Sequence, residues 1–211
     1  MSQIALLSDM DLSALLVSRV CHDVISPVGA IANGLEVLED EDDEEMKRVA
    51  MDLVRRSARQ ASAKLQFCRI AFGAAGSAGA HIDMGEAGEV ARQFMGDEKA
   101  ELDWQAAREL RPKAEVKLIL NMLLLGISAI PRGGSVSVRN DANSFTITAQ
   151  GDHARVPEKT QGLLLGNVAL EEIDARLVQP YYAMRLATQA NYTLSVNSTP
   201  GLVTFTAQQN S

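Results

Sequence analysis

The feature that most constrains this chain is an apolar stripe that starts at Met10 and alternates steps of four and three residues without a miss. Its members are Met10, Ala14, Val17, Cys21, Val24, Val28, Ile31, Leu35 and Leu38. Apolar residues with this spacing lie along one side of an α-helix, as in the seam of a coiled coil. The stripe therefore predicts one long helix through the first forty residues.

A second stripe follows with the same alternation. Its members are Met51, Val54, Ala58, Ala61, Leu65, Cys68 and Phe72. Between the two stripes lies an entirely acidic run, residues 39–45, which we interpret as a turn. Asp42 or Asp43 can cap the second helix there, where acidic groups meet the positive end of the helix dipole. The two stripes thus predict an antiparallel helical hairpin.

Each predicted helix has about thirty residues and a length of ~45 Å. A lone hairpin of that length leaves much of its apolar seam in water, so a partner surface is required. A homodimer, in which two hairpins form a four-helix bundle, is the simplest arrangement that buries both seams. We therefore predict a homodimer.

The chain changes character after the hairpin. Residues 73–80 contain only Gly, Ala and Ser, which indicates a boundary between a hairpin domain over residues 1–75 and a second domain over residues 76–211. Beyond it, helical patterns near 85–95, 114–129 and 179–190 alternate with strand patterns near 100–104, 135–139, 144–148, 192–197 and 202–207. This order predicts an α+β fold with helices on one face of a sheet.

Charge and composition exclude several classes of function. Twenty basic residues stand against 27 acidic ones, and this balance opposes a broad contact with nucleic acid or anionic lipid. The longest apolar run, residues 118–130, falls short of the ~20 residues of a bilayer span, and the N-terminus lacks a signal-peptide pattern. We expect a cytoplasmic protein that contacts neither membrane nor nucleic acid.

The remaining cysteine, histidine and tryptophan residues give no sign of a metal site. No Cys or His pair has zinc-finger spacing. Cys21 and Cys68 lie on the two stripes and are predicted to be small core residues. We expect His81 at a strand edge and His153 in a loop, both without a catalytic role, and Trp104 in the core or at a domain interface.

His22 is the candidate for chemistry. It lies one residue past the stripe residue Cys21, at the edge of the apolar side, where solvent can reach it. Further along the same face the residues are small, which leaves room for another protein to approach the imidazole; they are Ser26, Gly29, Ala30 and Asn33. Pro27 falls inside this helix, at a cost of about 3 kcal/mol unless other contacts compensate.

Three segments resemble those of sensor histidine kinases. The string HDVISPVGAI at residues 22–31 resembles the H-box, which carries the phosphorylated histidine. Residues 118–136 resemble the N-box of the ATP-binding domain, but Leu125 stands where the family has the Asn that holds the magnesium–nucleotide complex. Gly151, His153 and Arg155 stand where the adenine-binding Asp and two glycines belong, and residues 178–180 replace the glycine-led lid.

Taken whole, the chain resembles the ChpT-type histidine phosphotransferases of alphaproteobacterial cell-cycle phosphorelays. The resemblance implies a dimeric four-helix bundle followed by a degenerate Bergerat-type ATPase domain that does not bind ATP. It also implies that His22 takes a phosphoryl group from the receiver of a CckA-like hybrid kinase and passes it to CtrA- and CpdR-like response regulators. By the same analogy Asp23 orients or polarises the imidazole. No cofactor is expected, since the receiver supplies magnesium.

Docking of a receiver would use residues from both helices of the hairpin. The predicted docking set is Ser26, Gly29, Ala30, Asn33, Arg56, Gln60 and Lys64. Together with Arg55 and Arg59, the basic members of helix two could meet the acidic site of a receiver, although a solvated face that balances the acidic turn explains them as well. Two other functions stay open: an ATP-dependent histidine kinase with divergent motifs, and a non-catalytic dimeric adaptor that binds receivers.

Overall fold

The computed structural model describes residues 6–73 and 81–210. The boundary predicted between residues 75 and 76 lies outside the described residues. In chain order the elements are α1 (Asp9–Asp40), α2 (Glu44–Ala71), β1 (His81–Asp83), α3 (Met84–Met95), β2 (Ala100–Trp104), β3 (Leu110–Pro112), α4 (Lys113–Ala129), β4 (Gly134–Asn140), β5 (Ser144–Gln150), α5 (Glu158–Leu164), a 3-10 turn (Leu170–Glu172), α6 (Val178–Gln189), β6 (Tyr192–Thr199) and β7 (Leu202–Gln209).

Helices α1 and α2 form the predicted antiparallel hairpin. The side chain of Asp43 caps α2 by accepting a hydrogen bond from the Glu45 backbone N–H. Helix α1 continues through Pro27, which is buried against α2. At Gly34 the two helices come so close that a Cβ would lie 2.6 Å from the Val54 Cγ2 atom. Near the turn, the hairpin is therefore held by a close approach of the two helices at Gly34.

Much of the apolar stripe on α1 is in contact with water. Met10, Val17, Val28 and Leu35 are between 46% and 82% exposed. The prediction that Cys21 is a core residue is wrong for the single chain, since Cys21 is exposed. The physical reason is its position, six residues before the buried Pro27 and therefore about 120° around the helix from the contact with α2.

The exposed stripe also makes α1 the one described helix that is long and apolar enough to meet the limits of a membrane span. Its most apolar eighteen residues have a mean hydropathy of 1.4, and 6% of them are buried. A helix whose apolar side is covered by another helix meets the same limits. Length and composition therefore do not decide between these two environments.

The second part of the chain is built on a five-stranded sheet in the order β2-β4-β5-β7-β6, in which only β2 and β4 are parallel. Helices α3, α4 and α6 share a buried core with one face of this sheet. The sheet contributes Val136, Val138, Phe145, Ile147, Ala149, Val203, Phe205 and Ala207. The α+β fold is confirmed, and each of its predicted helices and strands is present. The small β1–β3 sheet and α5 were not predicted.

Two positions show how tightly the helices lie on the sheet. A Cβ at Gly126 of α4 would come within 2.8 Å of Ile147 on β5, and one at Gly88 of α3 within 2.7 Å of the Trp104 indole nitrogen. Trp104 is half-buried and packs against the core from β2. It therefore anchors α3 inside this part of the molecule.

The second part is fixed to the open end of the hairpin. Phe67 of α2 stacks on Phe94 of α3 with ring centroids 4.2 Å apart. The Asn121 side-chain amide donates to the Ala71 carbonyl at the end of α2 over 2.9 Å. At the start of α1, the Leu7 N–H donates to the Tyr181 hydroxyl over 2.9 Å. The sheet and its helices therefore hold both free ends of the hairpin.

Candidate functional site

His22 lies on α1 with 84% of its side chain exposed. Its Nδ1 atom is 3.6 Å from Asp23 Oδ1, which is beyond hydrogen-bond distance but places that edge of the ring on the carboxylate side. Nε2, on the opposite edge of the ring, is the nitrogen turned away from Asp23. An exposed imidazole with one nitrogen beside a carboxylate is suited to nucleophilic attack by the other nitrogen.

The Asp23 carboxylate has a second neighbour that the sequence analysis missed. Arg19 Nε donates to Asp23 Oδ2 over 2.8 Å, and 28% of the Arg19 side chain and 27% of the Asp23 side chain are exposed. An Arg and an Asp four residues apart on a helix are an ordinary ion pair. The spacing was visible in the sequence, but only the position of Asp23 beside His22 gives it importance.

Helix α2 places Cys68 within reach of the Asp23 charge. Burial between the helices and, to a smaller extent, the charge of Asp23 raise the pKa of the Cys68 thiol to about 11, while the charges of Arg19 and Lys64 oppose this rise. Asp23, Arg19 and Lys64 therefore all lie close enough to Cys68 to influence its charge. We call Arg19, Asp23, Lys64 and Cys68 the Asp23 cluster.

The small residues predicted beside His22 divide into two groups. Ser26 and Asn33 are exposed, and a Cβ at Gly29 would meet nothing within 4 Å, so this face of α1 is open to another protein. Ala30 is half-buried. It lies three residues after Pro27 and four before Gly34, on the side that contacts α2. The structure thus places Ser26, Gly29 and Asn33 on the open face and Ala30 at its edge.

Three of the predicted residues of α2, Arg56, Arg59 and Gln60, line a groove beside the second part of the molecule. Arg56 Nε lies 3.2 Å from Oδ1 of Asp97, which follows the end of α3. This ion pair joins residues that are 41 positions apart in the sequence. The groove has a volume of about 580 Å³ and is lined by Arg56, Arg59, Gln60, Ser62, Ala63, Gln66, Gln93, Gly96 and Asp97. Lys64 is half-buried in the Asp23 cluster, and Arg55 pairs with Asp52 on the exposed surface. No signal in the sequence pointed to Asp97.

An exposed apolar patch near the hairpin turn was also missed. Met46, Val49 and Leu53 of α2 are exposed. They precede Arg56 and Gln60 at alternating steps of three and four, so all five lie on one side of the helix. That side is apolar near the turn and polar near the second part of the molecule. The spacing could have been found in the sequence.

Two of the three stretches that resemble nucleotide motifs are buried, whereas Gly151 and His153 of the third line a surface cavity of about 350 Å³. Leu125 is completely buried in the core. Gln179, in the first turn of α6, is buried and donates from Nε2 to the Asn121 backbone carbonyl of α4 over 2.9 Å. Val178 is likewise fully buried. Helix α6 therefore packs directly on α4 through the residues that stand at the predicted lid position.

Comparison with known proteins identifies the family. Residues 84–201 match the family model described as the histidine phosphotransferase C-terminal domain. Over 206 residues the chain is 52% identical to the protein phosphotransferase ChpT of Brucella abortus (strain 2308), covering 96% of this chain and 97% of that protein. The chain belongs to the ChpT-type histidine phosphotransferase family.

The fold of this ChpT-type phosphotransferase agrees with a solved relative. The 1.7 Å structure of a bacterial phosphotransferase superposes with a TM-score of 0.89 at 49% sequence identity, covering 98% of this chain and 100% of that one. The matched family model begins at α3 and ends at the turn between β6 and β7, whereas His22 lies in the hairpin before it. The family and the α+β fold predicted from the sequence are therefore confirmed.

Proposed function

We propose that this phosphotransferase carries a phosphoryl group between the aspartates of receiver domains, with His22 as the residue that becomes phosphorylated. The observation that carries the proposal is the His22 imidazole itself. It is 84% exposed on a rigid helix, with Nδ1 beside a carboxylate and with small residues on its open face. Asp23 orients the ring so that Nε2 is the attacking atom.

The transfer step needs few groups from this chain. The Nε2 lone pair attacks the phosphorus of the receiver's aspartyl phosphate in line; the N–P bond forms as the P–O bond to the carboxyl group breaks, and the aspartate leaves with the bonding electron pair. Nδ1 keeps its proton, and the nearby Asp23 charge stabilises the positive charge that spreads over the ring. Unloading onto a second receiver is the reverse reaction. The receiver supplies the magnesium ion.

A receiver would approach along the open face of α1. Gly29 leaves space for the backbone of a partner, and Ser26 and Asn33 offer polar contacts on either side. From α2, Gln60 and the exposed, Asp97-paired guanidinium of Arg56 extend this surface, and Arg56 can exchange its partner for the acidic site of a receiver. Ala30 and Lys64 support the surface from the contact between the helices.

The proposal includes a second domain that does not bind ATP. Its support is the buried Leu125 and the Gln179–Asn121 hydrogen bond, which joins α6 to α4. A phosphate-binding turn also needs glycines for close approach of backbone amides, and His153 and Arg155 stand in that stretch. In calorimetry with magnesium-ATP we expect no binding. Affinity in the range of kinases would favour the ATP-dependent kinase instead.

We further propose that the phosphotransferase is a cytoplasmic homodimer. The exposed stripe on α1 continues into an apolar groove of about 480 Å³ between the two helices. Ser13, Leu16, Val17, Val20, Cys21, Leu65, Cys68, Arg69, Phe72 and Gly73 line it. A second hairpin would cover both and complete a four-helix bundle. From the resemblance, the donor is CckA-like and the acceptors are CtrA- and CpdR-like.

The direct test is incubation with a receiver domain that carries labelled phosphate. We expect label to appear on this chain in an acid-labile, base-stable form, and His22→Gln to abolish it while the melting temperature stays the same. Label that stays on the receiver, or that reaches the chain equally well in His22→Gln, would contradict the proposal. Receiver binding without any transfer would instead support the adaptor function.

A further inference from the structure

We propose that Asp97, just after α3, is a specificity-determining residue of the receiver-docking surface: its carboxylate favours receivers that present a basic side chain opposite it and disfavours receivers that present an acidic one. The inference rests on the proposed docking of a receiver beside His22. It adds to that docking a contact from the second part of the molecule, and it names the charge that this contact selects.

Asp97 belongs to the groove between α2 and the second part of the molecule. Its side chain is 27% exposed and pairs over 3.2 Å with Arg56, whose side chain is 71% exposed. Among the nine described residues that line the groove, Asp97 is the only acidic one, and Arg56 and Arg59 are the basic ones. The negative charge of the groove wall therefore comes from Asp97.

The groove lies on the side of the hairpin that carries the docking face. The apolar groove between the helices, which is lined by Cys21 and Leu65, marks one side of the hairpin. At 100° per residue, Ser26 lies about 140° around α1 from Cys21. By the same geometry, Arg56 lies about 180° around α2 from Leu65. Ser26 and Arg56 therefore both face away from the apolar groove, on the same side of the hairpin.

The groove also extends along the height of the docking face. Near the turn, Arg56 lies two residues beyond Val54, which α1 approaches at Gly34. At its other end the groove reaches Gln66, which stands in the sequence between the two α2 members of the Asp23 cluster and therefore near the height of the imidazole. A receiver docked along the open face of α1 thus lies beside the groove.

Docking of a receiver separates the charges of the Arg56–Asp97 pair. Exposed ion pairs contribute little stability, so Arg56 can turn to the acidic site of the receiver at small cost. Asp97 then faces the docked receiver without its intramolecular cation. A lysine or arginine of the receiver can take that place and form a second ion pair, whereas an acidic side chain there meets like charge. Asp97 thereby selects among receivers without taking part in the chemistry at His22.

The first experiment asks whether Asp97 contacts a receiver. The photo-reactive amino acid benzoylphenylalanine replaces Asp97 in the full chain, and the receiver domain of the transfer test is added without phosphate. The control position is Glu101, an exposed acidic residue of β2 whose neighbour Leu102 packs on the core, so that Glu101 is on the opposite face of the sheet. We expect irradiation to link the receiver to position 97 and not to position 101.

Two outcomes of this experiment would count against the proposal. Binding of the receiver without a link from position 97 would overturn it. Absence of binding would overturn the proposed docking itself, and the role of Asp97 with it.

The decisive experiment is a charge swap at the receiver position that the link identifies. With the parental chain, glutamate at that position should weaken binding about threefold and lysine should strengthen it about threefold. In Asp97→Lys the order of the two receiver variants should reverse, and in Glu101→Lys it should stay parental. The differences should shrink at high salt, which screens exposed charges. An order that does not reverse in Asp97→Lys would overturn the proposal, and melting temperatures measured in parallel exclude unfolding as the cause.

These measurements report binding and do not depend on phosphotransfer. If the order reverses but label never reaches His22, the proposed shuttle fails and the selection by Asp97 stands. If label reaches His22 but the order does not reverse, the shuttle stands and the role of Asp97 is wrong.

Discussion

The hairpin and the second domain treat their apolar side chains in opposite ways. Of the fourteen exposed large apolar residues among the described parts of the chain, eleven lie in residues 6–73 and three in residues 81–210. The second part buries its apolar side chains between a sheet and three helices, together with Phe67 and Ala71 from the end of α2. The hairpin exposes many of its large apolar side chains, and the imidazole of His22, to solvent. The apolar surface available for contact with a partner therefore lies mainly on the hairpin.

The largest effect should come from the closed core. Phe205 on β7 is completely buried, and we expect Phe205→Ala to lower the free energy of unfolding by about 3 to 5 kcal/mol. Denaturant unfolding at two protein concentrations measures it. Because the loss arises within one chain, it should be the same at both concentrations. A loss that depends on concentration would mean that the second domain also relies on a partner.

The open seam should respond differently. Leu35→Lys puts a charge into the proposed dimer contact, and we expect it to weaken association about a hundredfold with little effect on helix content. Light scattering across a dilution series measures the change. Ile25→Lys is the matched control, because Ile25 is exposed but outside the stripe. A parental chain that is a stable folded monomer at micromolar concentration would contradict the dimer.

The junction between the two parts should show an intermediate effect. Asn121→Ala leaves the buried Ala71 carbonyl without its side-chain donor, at a cost of about 2 kcal/mol, and removes the side-chain acceptor of the Gln179 amide, which keeps its bond to the backbone carbonyl of residue 121. Thermal or denaturant unfolding measures it, with the exposed Asn197→Ala as control. If Asn121→Ala is as neutral as the control, the buried network does not couple the two parts.

Two glycines on α1 offer a finer comparison. Gly34→Ala should cost about 1 to 2 kcal/mol, since its Cβ would press on Val54, whereas Gly29→Ala should stabilise the helix by about 0.8 kcal/mol, since its Cβ meets nothing. Melting temperatures of the two variants give the sign directly. Equal shifts would show that the helices move apart freely at Gly34.

The smallest expected change in stability accompanies a loss of function. Gly29→Leu should keep or raise the melting temperature yet block transfer from a phosphorylated receiver, because the side chain fills the space beside His22. Loss of transfer in this variant could not result from unfolding. Transfer at the parental rate would show that the receiver approaches His22 from another side.

The sequence predicted most of this fold because its signals are periodic and local. The two stripes located α1 and α2, and the H-box string located His22 and Asp23. What it could not show depends on contacts between distant segments. The close approach at Gly34, the pairing of Arg56 with Asp97 and the short strands β1 and β3 exist only once the chain has folded. Arg19 was visible, but its spacing to Asp23 is shared by many surface ion pairs.

The contacts at the open end of the hairpin have a consequence for cooperativity. Asn121 closes the last turn of α2, and Tyr181 binds the backbone just before α1. Unfolding of either part exposes groups that the other part covers. The two parts should therefore unfold cooperatively, in a single transition. The Gly/Ala/Ser connection in the sequence then adds little to their cohesion, and a protease cut there should leave a nicked molecule that stays together.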